Sequence, residues 1–548
     1  MPPLNGKANT GTAVSLAIAV AAEPPSLEDN TADLDRLKRA LRPLLPAAGR
    51  PLRIPFPLVA DIAARFRDCG FRGCAVVNML PERFELVDFL PEKPVVFPAM
   101  ALDLGTTHLE ASLIDLLTGQ RLAVANRPNS QIRFGADILN RIHFATSRRK
   151  SGTDREVEQD GLVRLQEAVL EDIGRLAEAL AREAHIQPAA IRGISIAGNT
   201  TMTHLLLGLD PYHICREPYI PLVNSVDPLA AGELGLNIAP AAPVWILPSR
   251  GSYFGGDLVS GILASGLDQQ EQTCMLIDVG TNAEVVLGNR DWLIACAGAA
   301  GPALEGGVAR MGMRAAPGAI ESVRIDRQRW CLEYQTIGRE PARGLCGSGL
   351  IDLVAELYLA RIIDLQGKIR LDCKAENAAQ EAFLRSRLGQ RNGEPVFVVV
   401  PAEQAAGNEP VTLSQVDLDA LIRSKAAMYA ILTTLLAQVG LEFSSLERIY
   451  VAGAFGRHID PARAVTLGML PDLDLSVYRP IGNSSLQGAE LLLQDEQVRM
   501  RSYDILNKIT YIELNVNQEF MNRFSGCRFI PHTDPSLFPS VPVFSERS

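Results

Sequence analysis

Cysteine pairs with the spacing of a metal site are absent from this chain. No CxxC pair occurs among its nine cysteines, and only Cys69 and Cys74 stand close together. The usual ligand spacing of a zinc ribbon or a ferredoxin cluster is therefore missing, and no iron–sulfur cluster is predicted in this chain. Nine scattered cysteines in 548 residues favour a reduced, cytoplasmic protein over a disulfide framework.

Long basic and long apolar runs are also absent. The formal charge is −10 and no Lys/Arg run occurs, which argues against a protein that works by binding nucleic acid. The apolar run at 11–22 loosely resembles a secretory signal, but a single cation precedes it and its alternating small residues favour a strand. Because the run is only twelve residues long, too short to cross a bilayer, we expect no transmembrane helix and no membrane partner.

The composition is that of a folded α/β protein with more than one domain. Apolar residues make up 47% of the chain and charged residues 21%. The length predicts two or three domains. The predicted divisions are an N-terminal strand and linker (1–56), a small α/β module (57–97), a first large subdomain (98–272), and a second large subdomain with inserts and a C-terminal extension (273–548).

Two patterns occur twice along the chain. A strand ends in a polar turn at "ALDLGTT" (101–107) and again at "LIDVGTN" (276–282). A long helix, a short link and a strand follow each turn; the strands end in "IAGN" and "VAGA", and the helices are predicted at about Glu156–Ala184 and Gln415–Val439. This order predicts a duplicated βα domain, with inserts in the second half at 288–345 and 374–395.

Each polar turn has the residues needed to hold phosphate. Glycine allows a tight bend and close approach of the backbone, and threonine and asparagine supply donors. A lone carboxylate beside phosphates requires a cation, so Asp103 and Asp278 are predicted to face Mg²⁺. An ordinary hairpin turn is the alternative for either one alone, whereas the duplication favours a clamp on nucleotide phosphates across a cleft. The predicted phosphate residues are Gly105, Thr106, Thr107, Gly280, Thr281 and Asn282.

Two further glycine-containing segments and one aspartate complete the predicted site. In "VAGAFGRHIDP", Gly453, Ala454 and Gly456 are predicted to flank a purine and ribose, before a helix that starts near Asp460. In "GLCGSGLID", the residues Gly347, Ser348 and Gly349 open a helix whose positive end suits an anion; close helix packing is the alternative. Asp257, at a predicted helix start, is a candidate to orient a hydrolytic water, with helix capping as the alternative.

These motifs resemble those of a known superfamily. "LDLGTT", "IDVGTN", "CGSGLID" and "VAGAFG" resemble the phosphate-1, phosphate-2, connecting and adenosine motifs of the ASKHA superfamily, which includes sugar kinases, Hsp70 and actin. "NSQIRFGADILNRI", "AGNTTMTHLLLGLDP" and "VAGAFGRHIDPARAVTLGMLPDL" are similar to the ATP-dependent reductive activators of corrinoid proteins. The resemblance runs from about residue 24 to 532 and implies a duplicated ribonuclease H-like (actin-like) α/β fold.

The resemblance also implies a function. It implies a protein that binds ATP and Mg²⁺, docks on a corrinoid protein, and couples nucleotide binding or hydrolysis to one-electron reduction of Co(II) to Co(I). Relatives of this kind carry an iron–sulfur domain that this chain lacks, so we expect a separate ferredoxin-like donor. A homodimer is left open. The alternatives are a small-molecule kinase with Asp137 as base, and a nucleotide-switched scaffold.

Overall fold

The chain folds into two compact units. The computed structural model describes residues 12–46, 49–146, 161–252, 254–280, 283–298, 310–313, 315–514 and 518–544. The first unit consists of Met1–Ala264 with Ser484–Asn507, and the second of Ser265–Asn483 with Lys508–Ser548. Each unit therefore contains chain from both sides of residue 483.

The first unit begins with a small module built on a four-stranded sheet. Its elements are β1 (Ser15–Ala21), α1 (Asp33–Leu41), β2 (Leu52–Arg53), α2 (Val59–Asp68), β3 (Arg72–Met79) and β4 (Phe84–Leu90). The strand order is β1-β3-β4-β2, with β1 antiparallel to β3 and β2 parallel to β4. The strand expected within 11–22 is confirmed as β1. The predicted division at residue 56 cuts through this sheet, because a two-residue strand such as β2 gives no periodic signal in the sequence.

A six-stranded sheet follows in the first unit. Its elements are β5 (Pro98–Leu104), β6 (His108–Asp115), β7 (Arg121–Pro128), α3 (Ile138–Thr146), α4 (Gly161–Glu183), β8 (Ile194–Gly198), α5 (Thr200–Leu207), β9 (Leu229–Ala230), β10 (Pro243–Ile246) and α6 (Gly256–Ser265). The order is β7-β6-β5-β8-β10-β9, with β5, β6 and β7 antiparallel and β8 parallel to β5. Helix α4 buries the apolar stripe Leu165, Val169, Ile173, Leu176 and Leu180. Residues 156–160 of the predicted helix lie outside the described residues.

The second unit contains a matching sheet and two smaller ones. Its elements up to residue 482 are β11 (Cys274–Val279), β12 (Ala283–Gly288), β13 (Leu293–Gly298), β14 (Ala319–Asp326), β15 (Cys331–Thr336), β16 (Gly344–Leu345), α7 (Gly347–Leu359), α8 (Ala378–Arg387), β17 (Leu388–Arg391), β18 (Glu394–Val400), β19 (Val411–Ser414), α9 (Gln415–Gln438), β20 (Arg448–Ala452), α10 (Gly453–His458), α11 (Pro461–Leu467) and β21 (Tyr478–Gly482). Strands β14–β16 and β17–β19 form separate three-stranded sheets. The first lies within the predicted insert 288–345; α8 and β17 lie within 374–395.

Two helices then return the chain to the first unit. They are α12 (Ser484–Gln494) and α13 (Glu496–Lys508), of which α12 packs on β5 and β8. The chain ends in the second unit with β22 (Ile509–Tyr511) and α14 (Gln518–Gly526). The sequence-based division kept everything after 273 in one subdomain, because nothing local in the two helices indicates which sheet they cover.

The two large sheets share the topology of five of their six strands, β7-β6-β5-β8-β10 in the first and β13-β12-β11-β20-β21 in the second. The sixth strand differs, since β9 lies beside β10 whereas β22 lies beside β13. In the second unit the order is β21-β20-β11-β12-β13-β22, again with an antiparallel hairpin whose first strand pairs in parallel with the strand after the long helix. Asp103 pairs with Ala197 in the first sheet, and Asp278 with Ala452 in the second. The predicted duplicated actin-like α/β fold is therefore confirmed.

Helix α9 forms the core of the second unit. By length and apolar composition alone it could cross a membrane, but 83% of its most apolar window is buried within the protein. Apolar side chains on all sides of the helix are buried in the core cluster of that unit, including Leu421, Ile422, Ala430 and Ile431. Its hydropathy is thus that of a buried core helix.

Candidate functional site

The first polar turn closes the hairpin β5–β6 as the sequence predicts. Asp103 pairs with Glu110 and Leu104 with Leu109, so Gly105, Thr106 and Thr107 form the connection. A Cβ atom on Gly105 would collide with the carbonyl oxygen of His108. Glycine is therefore required by the tightness of the turn itself.

Side chains from the following segment hold the carbonyl groups of this turn. The Asn129 side-chain amide donates to the Gly105 carbonyl at 3.0 Å, and the Arg141 guanidinium donates to the Thr106 carbonyl at 2.6 Å. Because the C=O and N–H of a trans peptide point in opposite directions, the N–H groups of Thr106 and Thr107 point away from Asn129 and Arg141. That is the orientation in which backbone N–H groups can meet an anion.

Arg141 is the buried centre of this network. Its guanidinium is fully buried and also donates to the Gly135 carbonyl at 3.0 Å and to Gln131 Oε1 at 3.1 Å. Burial lowers the pKa of Arg141 to about 10, so it stays charged at neutral pH. No role of Asn129, Gln131 or Arg141 was predictable from the sequence. The only hint in the sequence is that Arg141 occupies a position of α3 where the helical period predicts an apolar residue. Such a hint does not show which groups the arginine contacts.

Asn199 connects the turn to the next helix. Its side chain accepts from the Met202 N–H at 2.9 Å, capping α5, and donates to Thr106 Oγ1 at 3.1 Å. The parallel pairing of β5 with β8 brings Leu104 opposite Gly198 and so places this cap beside the turn. Asn199 is a fourth residue whose role was not predicted from the sequence, although it stands in the "IAGN" pattern.

Two of the predicted aspartates, Asp103 and Asp257, belong to the first unit. Ser485, at the start of α12, donates to Asp103 Oδ1 at 2.7 Å. Gly255 separates Asp257 from Asn199: a Cβ on this glycine would lie 2.5 Å from Asn199 Cα and would collide with the Asp257 carboxylate. The structure therefore brings the predicted residue Asp257 next to the residues that hold the first turn.

Asp257 itself combines a structural contact with a perturbed pKa. Its carboxylate accepts from the N–H of Leu258 at 2.9 Å, in the first turn of α6. Burial raises the pKa of Asp257 to about 6. A carboxyl group with a pKa this close to neutrality is suited to exchange a proton with water.

The second polar turn closes the hairpin β11–β12. Asp278 pairs with Glu284 and Val279 with Ala283, so Gly280 begins the connection. Thr281 and Asn282, which were predicted to hold phosphate, lie outside the described residues. Gly453 has φ +77°, and a Cβ there would lie 2.8 Å from Asp278 Oδ1. The second turn and the glycines after β20 are therefore neighbours in the second unit.

The segment predicted to flank a purine is helical from its first residue. The sequence predicts a turn at Gly453–Gly456 and a helix from Asp460, whereas α10 begins at Gly453. The later helix is also present as α11, with Asp460 capping it by accepting from Ala462 N at 2.9 Å. Gly456 packs so closely on the Val451 carbonyl that a Cβ would collide with it. The side chain of Ala454 lies outside what the structure describes.

The "CGSG" segment packs tightly against β14. Helix α7 begins at Gly347, the Ser348 hydroxyl donates to the Glu321 carbonyl at 2.9 Å, and a Cβ on Gly349 would collide with the Ile320 carbonyl. The segment is therefore closely packed, but on a strand, whereas the alternative drawn from the sequence was packing against another helix. A contact of the segment with a nucleotide stays a prediction.

The cysteine side chains are all free thiols. Cys74 is buried, which raises the pKa of its thiol to about 11, and Cys69 is half-buried. In the parts of the chain that the structure describes, no three His, Cys, Asp or Glu side chains are grouped to hold a metal ion.

Comparison with known proteins places the chain and its fold in one class. The family model described as the C-terminal domain of RACo, the ASKHA domain, matches residues 272–542; the RACo middle region matches 98–270 and the RACo linker region 13–93. These matches define an ASKHA protein with the three regions of RACo.

Individual relatives narrow the class. The corrinoid activation enzyme RamQ of Eubacterium limosum is 31% identical over 445 residues, covering 80% of this chain and 72% of RamQ. The [Co(II) methylated amine-specific corrinoid protein] reductase of Methanosarcina barkeri is 25% identical, covering 78% of this chain and 76% of that protein. The solved structure of a reductive activator for corrinoid, iron–sulfur protein matches with a TM-score of 0.86 and 35% identity, covering 96% of this chain and 81% of that one. The chain belongs to the family of ASKHA reductive activators of corrinoid proteins.

Proposed function

We propose that this chain is an ATP- and Mg²⁺-dependent activator that returns the Co(II) corrinoid of a partner protein to Co(I), using an electron from a separate iron–sulfur donor. Membership of the reductive-activator family supports the corrinoid partner. The single structural observation that carries the proposal is the first hairpin, whose N–H groups face away from the side chains that anchor it.

The residues present fit a nucleotide and its metal ion. Thr106 and Thr107 would donate backbone and hydroxyl hydrogens to phosphate, supported by the buried charge of Arg141. Asp103 in the first unit and Asp278 in the second are each candidates to face Mg²⁺, which needs only one or two protein carboxylates because waters and phosphates complete its coordination. Gly453 keeps the backbone beside Asp278 free of a Cβ that would crowd that carboxylate.

The electron transfer explains the need for ATP. Co(II) gains one electron and the donor cluster loses one, and no covalent bond forms or breaks at the protein. Because Co(I) is a strong reductant, transfer from an ordinary donor is uphill, and ATP binding or hydrolysis supplies the free energy that favours the reduced state. Asp257, with its raised pKa, would orient the water that attacks the nucleotide.

Absorbance of Co(I) tests this proposal. The protein is mixed with a Co(II) corrinoid protein, ATP, Mg²⁺ and a low-potential chemical reductant, and the expected result is a Co(I) signal that requires ATP. Asp278→Ala should abolish that signal, and Asp291→Ala, which makes the same substitution at an exposed aspartate in the same unit, is the matched control. Absence of an ATP-dependent Co(I) signal in the wild type would contradict the proposal.

Two alternative functions, a small-molecule kinase and a nucleotide-switched scaffold, lead to different expectations. A kinase needs a carboxylate base for its substrate, but Asp137 is exposed and accepts from the Asn140 N–H and side-chain amide, both at 2.8 Å. Capping of α3 thus accounts for Asp137, and no observation favours a kinase. A scaffold would bind the corrinoid protein in a nucleotide-dependent way without changing the cobalt spectrum.

A further inference from the structure

One stretch of the N-terminal module has a charge opposite to that of the whole chain. Residues 38–58 contain five basic residues and no acidic one, in a chain of formal charge −10. Arg39 is paired with Asp29, and Arg50 with Glu496. The other three are Lys38, Arg42 and Arg53. They form no ion pair within 4.0 Å with any residue that the structure describes.

The packing of two helices brings the two ends of this stretch together. Arg67, in the last turn of α2, pairs with Asp33, in the first turn of α1, at 2.8 Å, so the two helices run antiparallel. They have nearly equal lengths, nine and ten residues. The 3₁₀ turn Arg42–Leu44 after α1 and the 3₁₀ turn Phe56–Leu58 before α2 therefore lie at the same end of the pair.

Exposed apolar side chains lie among these cations. The side chain of Phe56 is 90% exposed and that of Leu44 is 50% exposed. Aromatic residues and arginine are both enriched at protein interfaces relative to the rest of the surface. We call Lys38, Arg42, Leu44, Arg53 and Phe56 the basic face. The net charge of the basic face is still positive when Asp61, in the first turn of α2, is counted with it.

Building on the proposed function, we propose that the basic face docks the electron donor, an acidic, low-potential, one-electron iron–sulfur protein. Charge complementarity selects an acidic partner, and steering by opposite charges speeds its encounter. Docking of the corrinoid protein must respond to the nucleotide, and every residue predicted to contact nucleotide or metal lies after residue 102. A donor bound at this module only has to be held close to the reaction while one electron leaves its cluster and reduces Co(II).

Binding of a plant-type [2Fe–2S] ferredoxin, used as the acidic probe, tests the docking directly. The full-length double variant Arg42→Glu/Arg53→Glu should bind the ferredoxin about tenfold more weakly than the wild type, and wild-type binding should weaken as salt is raised. The matched control is Arg329→Glu/Arg385→Glu, which makes the same change of charge at two side chains that are each 82% exposed in the second unit. Equal effects of the two double variants, or no salt-sensitive binding by the wild type, would overturn the proposal.

Reduction assays separate this proposal from the function on which it rests. The Arg42→Glu/Arg53→Glu variant should lose ferredoxin-driven formation of Co(I) and keep formation driven by a small chemical reductant. If the wild type forms no Co(I) with the chemical reductant, the proposed function fails. The ferredoxin affinities then still test whether the basic face binds an acidic iron–sulfur protein. If the variant instead loses affinity for the corrinoid protein, the face belongs to that partner and the donor proposal is wrong.

Discussion

Arg141 fixes the backbone of the first hairpin from a position buried away from solvent. Its contacts with the carbonyls of Thr106 and Gly135 and with Gln131 could not be found in the sequence, since they join elements that only the fold brings together. Asp103 and Gly105 were predictable because a strand that ends in D-x-G-T has a local physical explanation. Local signals thus located the turn, and the tertiary contacts that orient it came from the structure.

Removing the guanidinium should loosen this turn. Arg141→Met leaves the Thr106 carbonyl without its charged donor, and we expect the dissociation constant for ATP to rise about tenfold or more, equivalent to ~1.4 kcal/mol. Titration with a fluorescent ATP analogue measures the change. Arg133→Met, at an exposed arginine eight residues earlier, is the control.

A folding defect would have to be separated from that binding effect. Arg141→Lys keeps the charge but cannot reach all three oxygen acceptors, so it should fold better than Arg141→Met and still bind ATP more weakly than the wild type. An Arg141→Met protein that is folded by circular dichroism and binds ATP normally would contradict the positioning role.

His204 should make the first unit sensitive to acid. Its Nδ1 lies 2.7 Å from the Thr200 carbonyl and must donate, so Nε2 accepts the Leu222 N–H at 3.2 Å. Burial lowers the pKa of His204 below the ordinary 6.5, so the unfolded chain takes up the proton first. Stability from this histidine is therefore fully present above about pH 6.5 and is lost as the pH falls through the lower folded-state pKa.

Urea unfolding at pH 7.5 and pH 5.5 checks this sign. The wild type should lose free energy of unfolding between the two values, and His204→Gln should lose less, whereas a change at the exposed His213 should leave the difference unaltered. An unchanged pH dependence in His204→Gln would exclude this histidine as the cause.

Among the secondary-structure elements, the duplicated hairpin and helix–strand patterns could be predicted from the sequence. Each has a regular spacing of apolar residues and ends in polar or small residues. Helix α10 was missed: Gly453 and Gly456 read as a loop, yet their missing Cβ atoms serve contacts with Asp278 and Val451. Strand β1 was predicted as a strand but kept apart from the small module, and β2 fell in the predicted linker, because the partners of both strands lie later in the chain. Glycine can thus signal either a bend or close packing, and the sequence alone does not separate the two.

The contact between α7 and β14 provides a direct test of that second role. Gly349→Ala would force a methyl group against the Ile320 carbonyl, and we expect the free energy of unfolding to fall by about 1–3 kcal/mol. Gly389→Ala, in β17 with no atom within 4 Å of the new Cβ, should change it by no more than about 0.5 kcal/mol. Chemical denaturation of both variants measures the difference, and equal losses would show that the packing at Gly349 can relax.

In the whole molecule, the first unit is completed by a segment, Ser484–Asn507, that follows most of the second unit in the sequence. Helix α12 packs on β5 and β8, and its residues Leu486, Leu492 and Leu493 are buried. Glu490 of the same helix is buried and pairs with Arg121 at 2.7 Å. No sequence period indicates this return, because an amphipathic helix shows that it has an apolar face without showing which sheet will cover it.

Fragments of the chain should reveal this dependence. Residues 1–264 alone should lack a cooperative unfolding transition, since the apolar faces under α12 are then exposed to water. Adding residues 484–507 through a Gly/Ser linker should restore the transition, and a scrambled version of the same segment is the control. Cooperative unfolding of 1–264 by itself would show that α12 is dispensable.

The late arrival of α12 also sets the order of events during synthesis. Residues 265–483 must be translated after the first unit has begun to form and before its last helices exist. At ~5–20 residues per second, this interval lasts roughly 10–45 s. For that time the nascent chain carries an uncovered apolar sheet, so this protein should depend on the cell's holding chaperones while it is being made, more than a protein whose domains are completed one after another.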